Sequence, residues 1–110
     1  MLRAMMGKKK GFVVTPTYYL GLRWNPSVTI SVYINGILYF EKTATSSESG
    51  TCPTVKLKIG DVISVSGGIN VYIEIDDVSY GESYNYGIEH TMDKECSTMH
   101  FGCYLMDPQP

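Results

Sequence analysis

The sequence predicts an all-β domain: a small antiparallel β-sandwich, jelly-roll-like or immunoglobulin-like, of about seven or eight short strands. Three observations carry that prediction. Apolar residues alternate with a period of two over most of the chain. Turn-forming Asn-Gly, Gly-Asp and Gly-Gly pairs punctuate it at short intervals. No stretch sustains a helical period.

Near the start, Phe12-Val13-Val14 and the segment from Tyr18 to Trp24 read as strands split by Pro16. From Ser27 to Ile34 every second residue is β-branched and apolar, placing Val28, Ile30, Val32 and Ile34 on one face. Asn35-Gly36 is a strong type I′ hairpin signal. The return strand Ile37–Glu41 is expected to pair Ile34 with Ile37, Val32 with Tyr39 and Tyr33 with Leu38. Apolar residues on both faces predict that this hairpin is central or covered on both sides. Residues 43–53 are small, polar and end in Pro53, which predicts a loop. Val55, Leu57 and Ile59 then alternate with outward Lys56 and Lys58, and Gly60-Asp61 turns the chain into a strand over 62–66. After Gly67-Gly68, Ile69, Val71, Ile73 and Ile75 face inward while Asn70, Tyr72, Glu74 and Asp76 face outward. The last strand is expected over 99–105. The body is therefore 11–106, between a basic arm (1–10) and a Pro-containing tail (107–110).

With 110 residues there is room for one domain with a modest core. The net charge of −2 hides a polarity. Residues 1–55 carry six basic against two acidic residues, a net +4, and residues 56–110 carry three against nine, a net −6. A basic arm (Arg3, Lys8, Lys9, Lys10) and an acidic half suit docking onto an acidic neighbour or head-to-tail packing of copies. Nucleic acid is disfavoured, because the pI is 5.6 and no aromatic residues interleave the arm. The three cysteines cannot all pair within the chain, and residues 1–14 lack the apolar run of a signal peptide. Synthesis in a reducing cytoplasm, with no membrane span, is the expectation.

His90, Cys96, His100 and Cys103 are potential zinc ligands, but their spacing fits no closed zinc pattern. On one strand, His100 and Cys103 point to opposite faces, which favours a core role for Cys103 and no metal. Glu74, Asp76, Asp77 and Glu82 offer oxygen donors for calcium, although solvated rim carboxylates explain them better. Nothing marks a catalytic residue; no activated nucleophile or phosphate loop stands out, and no cofactor is expected.

The segment Tyr80–Gly87 has the Tyr/Ser/Gly/Asn composition of binding loops. Tyr80, Tyr84 and Tyr86, together with Trp24, are the candidate contacts for a protein partner or a glycan. The leading expectation is a non-catalytic structural or accessory subunit of a large assembly, a virion component such as a phage capsid, collar or tail protein. Its partners would be other subunits, copies of itself among them. The alternative is a carbohydrate-binding module. Removing residues 1–10 is expected to leave the melting temperature nearly unchanged yet abolish incorporation into the assembly, read by calorimetry and by co-sedimentation with the particle.

Overall fold

The computed structural model describes residues 11–22, 27–67, 70–81 and 86–104, and over these the protein is all-β. Its strands are β1 (Gly11–Val14), β2 (Thr17–Gly21), β3 (Val28–Ile34), β4 (Ile37–Ala44), β5 (Glu48–Thr51), β6 (Val55–Lys58), β7 (Val62–Ser66), β8 (Asn70–Ile75), β9 (Val78–Tyr80), β10 (Gly87–Thr91) and β11 (Met99–Tyr104). They form a five-stranded sheet, β9-β8-β11-β2-β5, a four-stranded sheet, β10-β7-β3-β4, and the separate pair β1-β6. No helix among the described residues is long and apolar enough to cross a membrane.

The two larger sheets face each other in a sandwich-like arrangement, with β3 against β2 and β11, and β8 against β7 and β10. The period-two alternation fills the space between them. Val71, Ile73 and Ile75 of β8, Met99, Phe101 and Cys103 of β11, and Tyr18 and Leu20 of β2 are buried from one side. Val28, Ile30 and Val32 of β3, with Ile63 and Val65 of β7, are buried from the other. Tyr18 packs edge-tilted on Phe40 at 5.2 Å between ring centroids. Its hydroxyl donates to Glu48 Oε2 at 2.7 Å, and that carboxylate and burial push the Tyr18 pKa up to about 12.

Several elements depart from expectation. Eleven strands are described rather than seven or eight. The polar stretch 43–53 is not a loop: β4 runs to the buried Ala44, and β5 pairs with β2. Its residues are polar because β5 is an edge strand. β9, with three residues, and β10, an edge strand, are too short or too polar for periodicity to detect. The sheets are not wholly antiparallel, since β2 and β11 run parallel, with Tyr19 beside Gly102. In the hairpin, Val32 pairs with Phe40, not Tyr39. A bulge at Tyr39 turns Phe40 toward the core, while the Tyr39 hydroxyl donates to the Pro53 carbonyl. Of the hairpin's two strands only β3 is central: β4 is an edge, with Ile37 72% and Leu38 49% exposed.

One end of the molecule is tied by a buried carboxylate. Asp61, 6% exposed, accepts from Asn35 Nδ2 at 3.0 Å and from the Lys58 amide at 2.9 Å. Asn35, with φ of 53°, and Gly36, with φ of 82°, make the expected hairpin turn. Asn35 Oδ1 accepts from Val62 N at 2.9 Å, and its own amide donates to Val62 O at 2.8 Å. The Asp61 carbonyl accepts from Met92 N at 2.8 Å, so the loop after β10 joins the same knot. Burial by itself raises a carboxyl pKa, but here the Asn35 bond, the Lys58 amide and the Lys58 ammonium (Nζ 3.6 Å away) outweigh it and hold Asp61 below the usual carboxylate value.

A depressed folded-state pKa contributes stability that is complete above the unfolded value, about 3.9, and is lost as pH falls through the folded one. Asp61→Asn sets an amide NH₂ against either Asn35 Nδ2 or the Lys58 N–H. It is expected to cost about 1–3 kcal/mol at neutral pH. The variant's melting temperature should also fall less steeply than the wild type's below about pH 4, as followed by circular dichroism.

Candidate functional site

The outward faces of the two sheets differ sharply. On the four-stranded sheet, short polar side chains satisfy one another: Thr29 with Thr43 at 2.7 Å, Ser31 with Glu41 at 2.9 Å and Ser64 with Glu89 at 3.3 Å. This is an ordinary solvated surface. On the five-stranded sheet, the outward row across β8, β11 and β2 reads Tyr72, Gly102, Tyr19, and the next row reads Asn70, Tyr104, Gly21.

The glycines explain the rings. With no side chain on Gly102, Tyr72 lies down across β11, and a Cβ on Gly102 would overlap the Tyr72 ring. Tyr104 likewise leans over Gly21, where a Cβ would come 2.6 Å from Tyr104 Cδ1. Gly102 is buried although it faces outward. Tyr72 and Tyr104 stack at 5.9 Å with 22° between planes, and Tyr19 meets Tyr104 edge-on at 5.6 Å. The result is a low tyrosine platform, each ring partly exposed. Burial, with help from the Tyr104 hydroxyl, raises the Tyr72 pKa, so its ring is uncharged at neutral pH.

A polar rim adjoins it. His100 pairs with Glu74 on β8 and with Thr17 on β2. Its Nδ1 lies 2.7 Å from Thr17 Oγ1, its Nε2 3.4 Å from Tyr72 OH, and its ring centroid 5.8 Å from that of Tyr72. Burial lowers the His100 pKa, and the Glu74 carboxylate only partly opposes that, which favours neutral imidazole. His100, Glu74 and Thr17, with Asp77, Thr98 and Met99, line a pocket beside the platform. The Glu74 carboxylate has no hydrogen-bond partner among the described residues.

The residues singled out by sequence are scattered. Trp24, Tyr84, Glu82 and the arm residues Arg3, Lys8, Lys9 and Lys10 lie outside the described residues. Tyr80 points between the sheets and packs on His90, with centroids 4.6 Å apart, while Tyr86 is 64% exposed with φ of 59°. Tyr80 and His90 line a shallow cleft at the open sandwich edge between β9 and β10, with Ser79, Gly81, Ile88 and Glu89; Tyr86 does not line it.

The zinc candidates do not meet: His100 faces outward, Cys103 is in the core, His90 is on the other sheet and Cys96 is in the loop before β11. One oxygen of the Asp76 carboxylate is committed to the backbone. Asp76 and Asp77, with φ of 49° and 69°, form the β8–β9 turn, and Asp76 Oδ1 accepts from Ser97 N at 2.8 Å and Thr98 N at 3.0 Å. Those amides hold its pKa below the usual range. Among the described residues, no group of three His, Cys, Asp or Glu side chains converges as a metal would require.

Tyr19, Tyr72, Tyr104, Gly21, Gly102 and His100 were not visible as a site in the sequence. The one signal was the alternation itself, which sends Tyr72 and His100 outward; the parallel pairing that sets Tyr19 beside them has no local signature. Compared with known proteins, the sequence matches no family model and no curated protein.

Gly102→Ala is expected to keep the sheet folded but lift the Tyr72 ring off β11. The measurement is the proton spectrum: the Gly102 Hα signals, shifted upfield by the ring above them in the wild type, should have no equally shifted counterpart in the variant. An Hα at position 102 that stays strongly upfield after the substitution would mean that the ring remains in place.

Proposed function

We propose that the chain is a non-catalytic structural or accessory subunit of a large assembly, a virion component such as a phage capsid, collar or tail protein being the leading kind. The observation that carries this reading is the edge of the four-stranded sheet. β4 is the longest described strand, with eight residues, and its outer side faces no other strand among the described residues. From Tyr39 onward the edge is blunted by the bulge and by the Lys42–Glu48 ion pair at 3.6 Å. Ile37 and Leu38 are left open, and Ile59, on the turn tied to this hairpin through Asp61 and Asn35, is 39% exposed. An apolar tip on an unpaired edge invites a second chain.

The charge polarity of the chain suits copies of itself as that second chain. Small jelly-roll sandwiches are a common body for capsid subunits; in this chain, the wrapping would be altered by the parallel β2–β11 pair. The non-catalytic reading is supported by the thiols. Burial pushes Cys52 and Cys103 up to about 12, so neither supplies a thiolate at neutral pH. A second reading, a carbohydrate-binding module, is favoured by the near-parallel Tyr72 and Tyr104 rings on the outward face.

Sedimentation velocity should show concentration-dependent self-association of the wild type. The double variant Ile37→Lys, Leu38→Glu should sediment as a monomer with an unchanged melting temperature. A wild type that stays monomeric at every concentration removes self-assembly through this edge.

A further inference from the structure

We propose that the outward face of the five-stranded sheet binds a neutral oligosaccharide, with sugar rings stacked on Tyr72 and Tyr104 and hydroxyl groups taken by His100 and Glu74. This deepens the carbohydrate-binding reading and rests on it, and it is independent of self-association through β4.

Shape gives the first reason. A pyranose presents one face of C–H bonds and a perimeter of hydroxyls. An aromatic face is electron-rich and apolar, so it suits the C–H face, provided the ring lies low enough to be covered. Here the rings do lie low, because Gly102 and Gly21 leave room beneath them. Upright tyrosines would present edges and hydroxyls instead.

The rim gives the second. The hydroxyl perimeter needs donors and acceptors beside the platform, and the pocket lined by His100, Glu74, Asp77 and Thr17 stands there. The contact between His100 Nε2 and Tyr72 OH, at 3.4 Å, is long enough to yield to a ligand hydroxyl. Glu74 is an acceptor with no protein donor among the described residues. A charged carboxylate accepting from hydroxyls makes short, charge-assisted bonds.

Charge gives the third and selects the class of sugar. The outward positions described on β8, β11 and β2 hold no Lys or Arg. The formal charge of the site is that of Glu74 and Asp77, with His100 favoured as neutral imidazole. A sialylated or sulfated glycan would meet carboxylates with no Lys or Arg at these described strand positions to offset them, whereas a neutral one brings no charge against them.

The test is a titration of ¹⁵N-labelled protein with neutral hexasaccharides of β-linked glucose, mannose and N-acetylglucosamine, with a heparin hexasaccharide as the anionic control. The expected result is that at least one neutral probe shifts the amide signals around Tyr19, Tyr72, His100 and Tyr104, and heparin does not. Tyr104→Ala should weaken binding about tenfold, the order of one lost aromatic contact. Glu74→Gln, exposed enough to leave folding untouched, should weaken it as well. Tyr86→Ala and the β4 double variant should bind as the wild type does, which separates this site from the loop and from the assembly edge.

The proposal is overturned by any of four outcomes: no shift with any neutral probe; preference for heparin; loss of binding in Tyr86→Ala but not in Tyr104→Ala; or the same signals moving when the protein alone is concentrated. The last would show that a second copy covers this face.

Discussion

The buried Asp61 carboxylate is the constraint on which the arrangement of strands depends. It sits where three connections meet: the β3–β4 turn through Asn35, the β6–β7 turn through Lys58, and the chain beyond β10 through Met92. A buried charge without partners would be costly, so the Asn35 and Lys58 donors to the carboxylate are needed where they are, while Met92 N is held by the Asp61 main-chain carbonyl. The two bonds between Asn35 and Val62 start the β3–β7 ladder one residue from the Ile34–Ile63 pair. In a sheet, a slip of one residue moves every side chain to the other face. A polar knot at one end thus decides that Ile63 and Val65 lie in the core and that Ser64 and Ser66 meet water.

Once register is fixed, the two outward faces follow from the side chains placed on them, and they take different characters. On the four-stranded sheet, cross-strand hydroxyl and carboxylate pairs satisfy each other, leaving little that a partner would improve. On the five-stranded sheet, large rings alternate with glycines, and Glu74 keeps an unused acceptor. Tyrosine offers wide contact area with few rotatable bonds, so ordering it against a ligand costs little entropy. Tyr72 and Tyr104 are already held against the sheet and against each other, which lowers that cost further. The apolar tip at Ile37 and Leu38 is a different kind of surface, an unfinished sheet edge whose natural complement is another strand.

Much of this fold was legible in the sequence because its information is local. The alternation in 70–75, the Asn35-Gly36 turn, the half-buried 55–58 strand and the opposed directions of His100 and Cys103 need only the period of a strand and the φ preferences of turn residues. What failed was non-local. β5 looks like a loop, since Glu48, Ser49 and Gly50 have little strand propensity; pairing with β2 and the Tyr18–Glu48 bond make it a strand. The bulge at Tyr39 was invisible because two adjacent aromatic residues give no hint which one belongs in the core. Among candidate contacts, loop composition drew attention to Tyr80 and Tyr86, while the tyrosines that share a surface lie in strands, where periodicity marks them as outward and nothing more.

The parallel contact between β2 and β11 is what turns those separate outward residues into a surface. Thr17 and His100 are 83 positions apart, and their bond closes nearly the whole described chain. Closing so long a loop is entropically costly but only weakly dependent on its length, and the buried Leu20, Phe101 and Cys103 on the inner side of the same two strands offset it. One pairing therefore does two things at once: inside, it completes the core; outside, it sets Tyr19 beside Gly102 and Gly21 beside Tyr104. The glycines have no role in the core, and two residues with no side chain would weaken a central pair of strands were nothing laid over them. Tyr72 and Tyr104 supply that cover. Each glycine is thus intelligible only through a tyrosine on a neighbouring strand. The features that bring these rings close to the sheet are the same ones that let two weak strand positions sit in its middle.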